Sequence, residues 1–288
     1  MSDVRRLSAG YQSWYRFSRN PTALIGAMIV LLCIAAAILA PSIAPFPNAA
    51  RAMVDFRARH LPPSGLHWFG TDDVGRDIFS RVIFGYRVSL LLVVVVLGTA
   101  VPFGAVLGML AGYYGGWVEI AIMRTTDIAL AIPPLVMALA VAAVLSPGLF
   151  HAMLAIAVLW WTWHARLVYS LTRQLRLQEY IEAARLVGAG PLHILFRELL
   201  PNCLPAIVVK CSLDAGFVIL VGASLSFLGL GIRPPTPDLG TMVATGAAYL
   251  PEDWWESVLP GCAILFVALG FNLLGDGLRD VFDVQEVR

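Results

Sequence analysis

Six long apolar runs decide what this chain can fold into. Each approaches the roughly 20 residues that a helix needs to cross a bilayer. Inside lipid a helix satisfies all of its own backbone hydrogen bonds, which makes it the natural spanning element. The sequence therefore predicts an all-α polytopic membrane protein with six transmembrane helices, at residues 23–40, 88–111, 128–145, 149–168, 206–230 and 258–274.

Composition supports this class and excludes others. Hydrophobic residues make up 59% of the 288 positions and charged residues only 14%, with a mean hydropathy of +0.77. Soluble domains are nearer half apolar and a quarter charged. The net charge of +1 gives no support for nucleic-acid binding.

Basic residues set the expected orientation. Of the twenty Lys and Arg residues, thirteen fall on the side that holds both termini and the long loop after the fourth run. The other seven fall on the opposite side, six of them in the first external loop. The positive-inside rule then places both termini in the cytoplasm.

We expect two parts along the chain. Residues 1–87 would form an interfacial helix, rich in aromatic and basic side chains at 11–19, then the first span and an external loop. Residues 88–288 would form a core of five spans.

The cytoplasmic stretch between the fourth and fifth runs carries helix signals. Leu177, Ile181 and Ala184 have helical spacing. Gly188 or Gly190 can end that helix, and Pro191 suits the first turn of another. The next helix would present Leu192, Leu195, Phe196, Leu199 and Leu200 on one face. Pro201 and Pro205 would then separate it from the fifth span.

Two short helices joined by a sharp bend can insert into a partner's groove. Ala183 and Ala184 would allow close approach, and Glu182 offers a carboxylate. The alternative is a connecting loop that lies on the membrane.

Two acidic residues lie in or near spans, Asp127 and Asp214. Ionisable groups there are costly and have pairing or functional roles. Both are candidates for the translocation path, although Asp214 could simply pair with Lys210, one turn away.

No catalytic constellation is present. The only lysine, Lys210, lies between Val209 and Cys211, so the Gly-Lys-Ser/Thr of a phosphate-binding loop is missing. No Ser/His/Asp set and no metal-ligand spacing occurs, and the five histidines are scattered. We expect neither enzymatic activity, nor a metal site, nor a cofactor on this chain.

Motifs along nearly the whole chain carry a family resemblance: FSRNPTALIG (17–26), APSIAPF (40–46), FGTDDVGRDIFSR (69–81), GYRVSL (85–90), EYIEAARLVGAGPLHILFRELLP (179–201), SFLGLG (226–231) and NLLGDGLRD (272–280). The chain resembles permease subunits of binding-protein-dependent ABC importers. More narrowly, it is similar to the C-type subunit of the dipeptide, oligopeptide and nickel group.

The resemblance implies a type I ABC importer permease fold, with cytoplasmic coupling helices between spans four and five. It implies a bacterial inner-membrane location, a homologous second permease and two ATPase subunits that hold ATP and Mg. The coupling loop would comprise Glu179, Tyr180, Glu182, Ala183, Ala184, Arg185, Gly188, Ala189 and Pro191. The rival hypothesis is a stand-alone secondary transporter or channel.

A periplasmic or extracellular solute-binding protein is also implied, and the external loop could receive it. Thr71 can cap a short helix in which Asp72 pairs with Arg76 and Asp77 with Arg81, each four residues apart. These four charged residues are either its docking surface or a self-stabilised loop helix. The solute, whether dipeptide, oligopeptide, nickel or another molecule, stays open.

Overall fold

The computed structural model describes residues 14–146 and 148–282, and within these ranges the chain is helical without a β-strand. Two 3₁₀ turns, Pro47–Ala50 and Phe56–Ala58, lie in the first loop. The helices are α1 (Pro21–Ile43), α2 (Ile78–Tyr114), α3 (Gly116–Leu130), α4 (Pro134–Val144), α5 (Leu149–Leu175), α6 (Glu179–Leu186), α7 (Pro191–Phe227), α8 (Leu239–Ala247) and α9 (Trp255–Phe282).

Four of these helices, α1, α2, α7 and α9, are long and apolar enough to cross a bilayer. The pair α3 and α4 makes a fifth if it counts as one broken span. Helix α5 has 27 residues, but its tryptophan, histidine and arginine side chains make it less apolar. The helical membrane architecture is confirmed, whereas the number of six spans is not.

The predicted third span, 128–145, is not one straight helix. It is divided between α3 and α4, which meet at an angle of 88°. Pro133 and Pro134 follow the end of α3, and Pro134 opens α4 as its first residue. A residue before proline avoids the helical conformation, so the tandem prolines end one helix and start another.

Contrary to the prediction, Pro201 and Pro205 do not separate the second short helix from the fifth span. Helix α7 runs from Pro191 through Pro201 and Pro205 to Phe227, so the second short helix is the first part of this span. A π-helical turn, Ile194–Leu199, lies just before Pro201. Its wider hydrogen-bond pattern lets the chain pass a residue that has no backbone N–H.

Glycines bring α2 and α5 together. A Cβ added at Gly104 would lie 2.3 Å from the Trp161 carbonyl oxygen, and one at Gly112 would lie 2.7 Å from Cβ of Thr172. Small residues at four-residue spacing let membrane helices approach backbone to backbone. Gly104 and Gly112 therefore serve the packing of α2 against α5.

The first and last spans pack in the same way. A Cβ on Gly26 of α1 would lie 2.3 Å from the backbone nitrogen of Leu274 in α9. The Asn20 side chain caps α1 and also donates to Asp280 at 3.0 Å. Residues 14–17 form a helical turn before α1, and residues 11–13 of the predicted interfacial helix lie outside the described ranges. The boundary at residues 87–88 falls inside α2.

Candidate functional site

Helix α6 and the start of α7 form a bent segment, residues 179–199, that we call the coupling segment after its predicted role. On one arm Ile181 is completely buried in the main core. On the other arm Ile194, Leu195 and Leu199 are buried in the same core. Both arms are thus packed against the membrane helices.

The bend is a glycine-terminated helix end. The N–H of Gly188 donates to the carbonyl of Arg185, and the N–H of Ala189 donates to that of Ala184, both at 3.0 Å. These two bonds make a Schellman motif, which needs a left-handed residue at its centre. Gly188 supplies it with φ +87°. Of the two predicted stop residues, Gly188 ends α6, and Gly190 precedes Pro191 as the N-cap residue of α7.

Charges along α6 follow its dipole. Glu179 and Glu182 lie in the first turn, where the helix end is positive, and Arg185 lies in the last turn. The Arg185 guanidinium also lies over the Tyr113 ring at 5.4 Å, which ties α6 to the end of α2. Desolvation by partial burial raises the pKa of Tyr180 above its usual value.

The outer side of the bend is apolar and exposed. Leu186 and Val187 are 84% and 85% exposed, and Leu192 on the other arm is 71% exposed. Glu182, Ala183 and Arg185 are exposed on the same short helix, while Ala184 and Ala189 are partly buried. Exposed apolar side chains held on a rigid bend are typical of a docking surface.

The predicted apolar faces of these two helices are wrong in two details. Leu177 is exposed, because it lies in the turn before α6 rather than on its buried face. Leu192 and Phe196 do not share the buried face of Leu195 and Leu199. The π turn changes the angular spacing of side chains, which a regular helical period does not anticipate.

The charge cluster at residues 71–77 of the first loop is a tight turn and not the predicted helix. Thr71 and Asp77 pair as a two-residue antiparallel bridge, so residues 72–76 loop back on themselves. The Asp72 carboxylate accepts from the backbone N–H groups of Val74 and Arg76, at 3.1 and 2.8 Å. It also accepts from Arg76 Nε at 2.7 Å, so the first predicted ion pair is confirmed.

The second predicted pair, Asp77 with Arg81, does not form. Asp77 caps α2 by accepting from the N–H of Ser80 at 2.8 Å, and its other oxygen lies 2.9 Å from His67 Nδ1. Arg81 lies 3.6 Å from Asp72 and donates to the carbonyl of Ala49 at 3.1 Å. Asp77 and Arg81 are both buried, so their side chains organise the first loop from inside.

Both acidic residues near the spans have basic partners. Asp127 at the end of α3 forms an ion pair with Arg166 of α5, and both side chains are partly exposed. Asp214 is buried in α7 and accepts from Lys210 Nζ at 2.5 Å. His164 of α5 lies 3.6 Å from the other Asp214 oxygen, a neighbour that sequence reasoning missed because 50 residues separate them. The predicted Lys210 pairing is confirmed, and the translocation role of both acids stays a prediction.

Similarity to known proteins extends over most of the chain. Residues 104–285 match the family model described as binding-protein-dependent transport system inner membrane component. Residues 8–63 match the N-terminal TM domain of oligopeptide transport permease C. These two matches cover most of the described helices.

Curated relatives agree. The probable D,D-dipeptide transport system permease protein DdpC of Escherichia coli K12 is 44% identical, over 92% of this chain and 88% of the relative. The dipeptide transport system permease protein DppC of Haemophilus influenzae is 39% identical, over 94% and 92%. The glutathione transport system permease protein GsiD of Escherichia coli O6:K15:H31 is 42% identical, over 95% and 89%.

A solved structure supports the fold. A chain of the MetNI methionine ABC transporter, in an inward-facing conformation, superposes with a TM-score of 0.54 at 19% identity. The match covers 72% of this chain and 97% of the other. From the family match over more than half of its length and from relatives near 40% identity, this chain belongs to the family of inner-membrane components of binding-protein-dependent transport systems.

Proposed function

We propose that this chain, a permease subunit of an ABC importer, moves short peptides into the cytoplasm by alternating access. Separate ATPase subunits, which hold ATP and Mg, would drive the cycle. The peptide class is supported by the names of relatives that transport dipeptides and glutathione. The assembly would include a second, homologous permease and an external solute-binding protein in a bacterial inner membrane, with both termini cytoplasmic.

One observation carries the proposal: the exposed apolar bend at Leu186, Val187 and Leu192, fixed to the core at both of its ends. A surface of this kind would sit in a groove of an ATPase subunit. When ATP closes the ATPase pair, the bend would move with it, and α7 would carry the displacement directly into the membrane. Coupling requires that ATP favours one pore state by differential affinity.

The external turn has a supporting role in this scheme. Asp72, Arg76, Asp77 and Arg81 would hold the loop on which the solute-binding protein docks. Because Asp77 and Arg81 are buried, we assign them the shape of that surface rather than direct contact. Asp127 and Asp214, both paired in this structure, would contact solute only in a state that opens these pairs.

The test is co-purification of ATPase subunits with the tagged chain from its native membrane. Leu186→Asp and Val187→Asp should each reduce the recovered ATPase at least tenfold while the chain itself is recovered normally. Leu66→Asp, a change of an exposed apolar residue in the external loop, is the matched control and should leave recovery unchanged. A wild-type chain that is recovered without ATPase, and transports in liposomes without ATP, would support a secondary transporter instead.

A further inference from the structure

Three potential metal ligands from distant parts of the chain converge on the external side. His60 comes from the first loop, Asp253 from the turn before α9, and Glu256 from the first turn of α9. His60 Nδ1 lies 2.7 Å from Glu256 Oε1 and 3.1 Å from Asp253 Oδ2. One ligand atom from each residue lies within 4.8 Å of the other two. Spacing along the sequence could not reveal this cluster, because 196 positions separate His60 from Glu256.

The backbone holds His60 in an unusual conformation. Its φ is +52°, in the left-handed region that non-glycine residues seldom occupy. Its N–H donates to the carbonyl of Asp72 at 3.3 Å, and its ring packs against Tyr249 with centroids 4.6 Å apart. Such conformations persist where the surroundings impose them, often at binding sites. The imposed geometry directs Nδ1 toward the two carboxylates.

The carboxylates of this cluster have fewer basic partners than the neighbouring carboxylates of Asp72 and Asp77. The nearby Asp72 carboxylate has Arg76 and Arg81, and Asp77 has His67. Among the described residues, Asp253 and Glu256 have ion pairs only with one shared nitrogen, His60 Nδ1. A single ring nitrogen can donate one proton, so two carboxylates compete for it.

Glu256 gives a second and independent indication. This residue is only 3% exposed, yet its Oε2 atom has no hydrogen-bond partner among the described residues. An unpaired buried carboxylate oxygen costs free energy unless a proton or a metal compensates it. That oxygen belongs to the same carboxylate whose Oε1 contacts His60, so an ion at the cluster lies within its reach.

We infer that His60, Asp253 and Glu256 form a binding site for a divalent transition metal of the zinc class. One imidazole nitrogen and two carboxylate oxygens suit Zn²⁺ better than Ca²⁺ or Mg²⁺, which prefer oxygen alone. His60 and Asp253 are partly exposed, which gives the ion a route from solvent and leaves a position for water. The ion replaces the shared proton on Nδ1 and clips the first external loop to the start of α9.

Zinc binding by the purified, full-length chain tests this inference without any transport assay. After chelator treatment, wild type should take up one equivalent of Zn²⁺ in competition with a fluorescent chelator, and Zn²⁺ should raise its Tm. His60→Gln and Asp253→Asn should each weaken the affinity at least tenfold and abolish the Tm increase. His151→Gln, a change of a histidine in α5 outside the cluster, is the control and should bind as wild type does.

Each contrary result is informative. Equal Zn²⁺ affinity in wild type, His60→Gln and Asp253→Asn would show that the ion binds adventitiously elsewhere, and would overturn the inference. Absence of uptake by well-folded wild type would also overturn it, leaving a hydrogen-bonded cluster. Asp253→Asn conserves side-chain size, so it keeps the test decisive if His60→Gln does not fold.

Discussion

Gly108 of α2 lies directly against the backbone of Ala165 in α5: a Cβ added to Gly108 would come within 2.4 Å of the Ala165 carbonyl oxygen. Backbone atoms cannot yield as a flexible side chain can. The contact explains why a glycine occupies the middle of a long membrane helix, where it gives no packing surface of its own.

Gly108→Ala should therefore separate α2 from α5 and destabilise the chain by about 1–3 kcal/mol, the usual cost of overpacking. The comparison is Gly98→Ala in the same helix, where an added Cβ meets no atom within 4 Å. Thermal unfolding in detergent should show a lower Tm for the first variant only. Equal Tm values would mean that the two helices do not pack as described.

Gly188→Ala should impair the coupling of ATP hydrolysis to transport, because it strains the backbone at the bend. The left-handed conformation costs an alanine about 1–2 kcal/mol relative to glycine, and no neighbouring atom lies within 4 Å of the added Cβ. Gly190→Ala is the matched control, because Gly190 also has open space but an ordinary φ of −73°. In the assembled transporter, ATP hydrolysed per solute moved should rise for Gly188→Ala and stay unchanged for Gly190→Ala. The reverse order would exclude the Schellman bend as the transmitting element.

Lys210→Met should destabilise the chain by up to about 3 kcal/mol, since it leaves the buried Asp214 carboxylate without its ammonium partner. The double variant Lys210→Met/Asp214→Asn should recover most of this loss, because the uncompensated charge is then removed. Asp127→Asn breaks a partly exposed pair with Arg166 and should cost less than about 1 kcal/mol. Denaturation of all three variants measures the difference. No recovery in the double variant would show that the lysine acts through packing and not through charge.

Asp77→Ala should cost about 1–2 kcal/mol, since it removes the N-cap of α2 and the partner of His67. Binding of the solute-binding protein should weaken with the loss of folded loop. The neighbouring Asp73→Ala leaves the cap intact and removes only a 3.9 Å contact with Arg76, so it should cost less than Asp77→Ala. Limited proteolysis of residues 60–77 would report the effect. A rigid loop in Asp77→Ala, combined with lost docking, would instead point to direct contact by this carboxylate.

Local signals in the sequence determined much of the coupling segment. The stop at Gly188 and the start at Pro191 depend on the conformational limits of single residues, and those limits act wherever the residue lies. Helical periodicity also places Gly104, Gly108 and Gly112 of α2 on one face, and this is the face that packs against α5.

The effect of a proline on a helix could not be predicted from the local sequence alone. At the tandem Pro133-Pro134 the predicted third span divides into α3 and α4, which meet at 88°. Pro201 and Pro205, in contrast, leave α7 continuous. The residue type is the same in both places. The outcome depends on whether the neighbouring backbone can rearrange its hydrogen bonds around a residue that has no N–H. In α7 a π turn precedes the first of these prolines, with its buried side chains held by the core.

What the sequence alone determined is the helical membrane class, the family resemblance and the bend at Gly188. The class follows from long apolar runs, the resemblance from motifs along the chain, and the bend from the conformational limits of single residues. Two ion pairs, Asp72 with Arg76 and Lys210 with Asp214, followed from four-residue spacing, but only the tertiary structure decided the other pairings. The Asp77 carboxylate contacts His67 and not Arg81, and Arg81 lies near Asp72. His60 contacts two carboxylates from the far end of the chain. Such pairings depend on how helices pack in space, and a buried charge pairs with whichever partner that packing brings within reach.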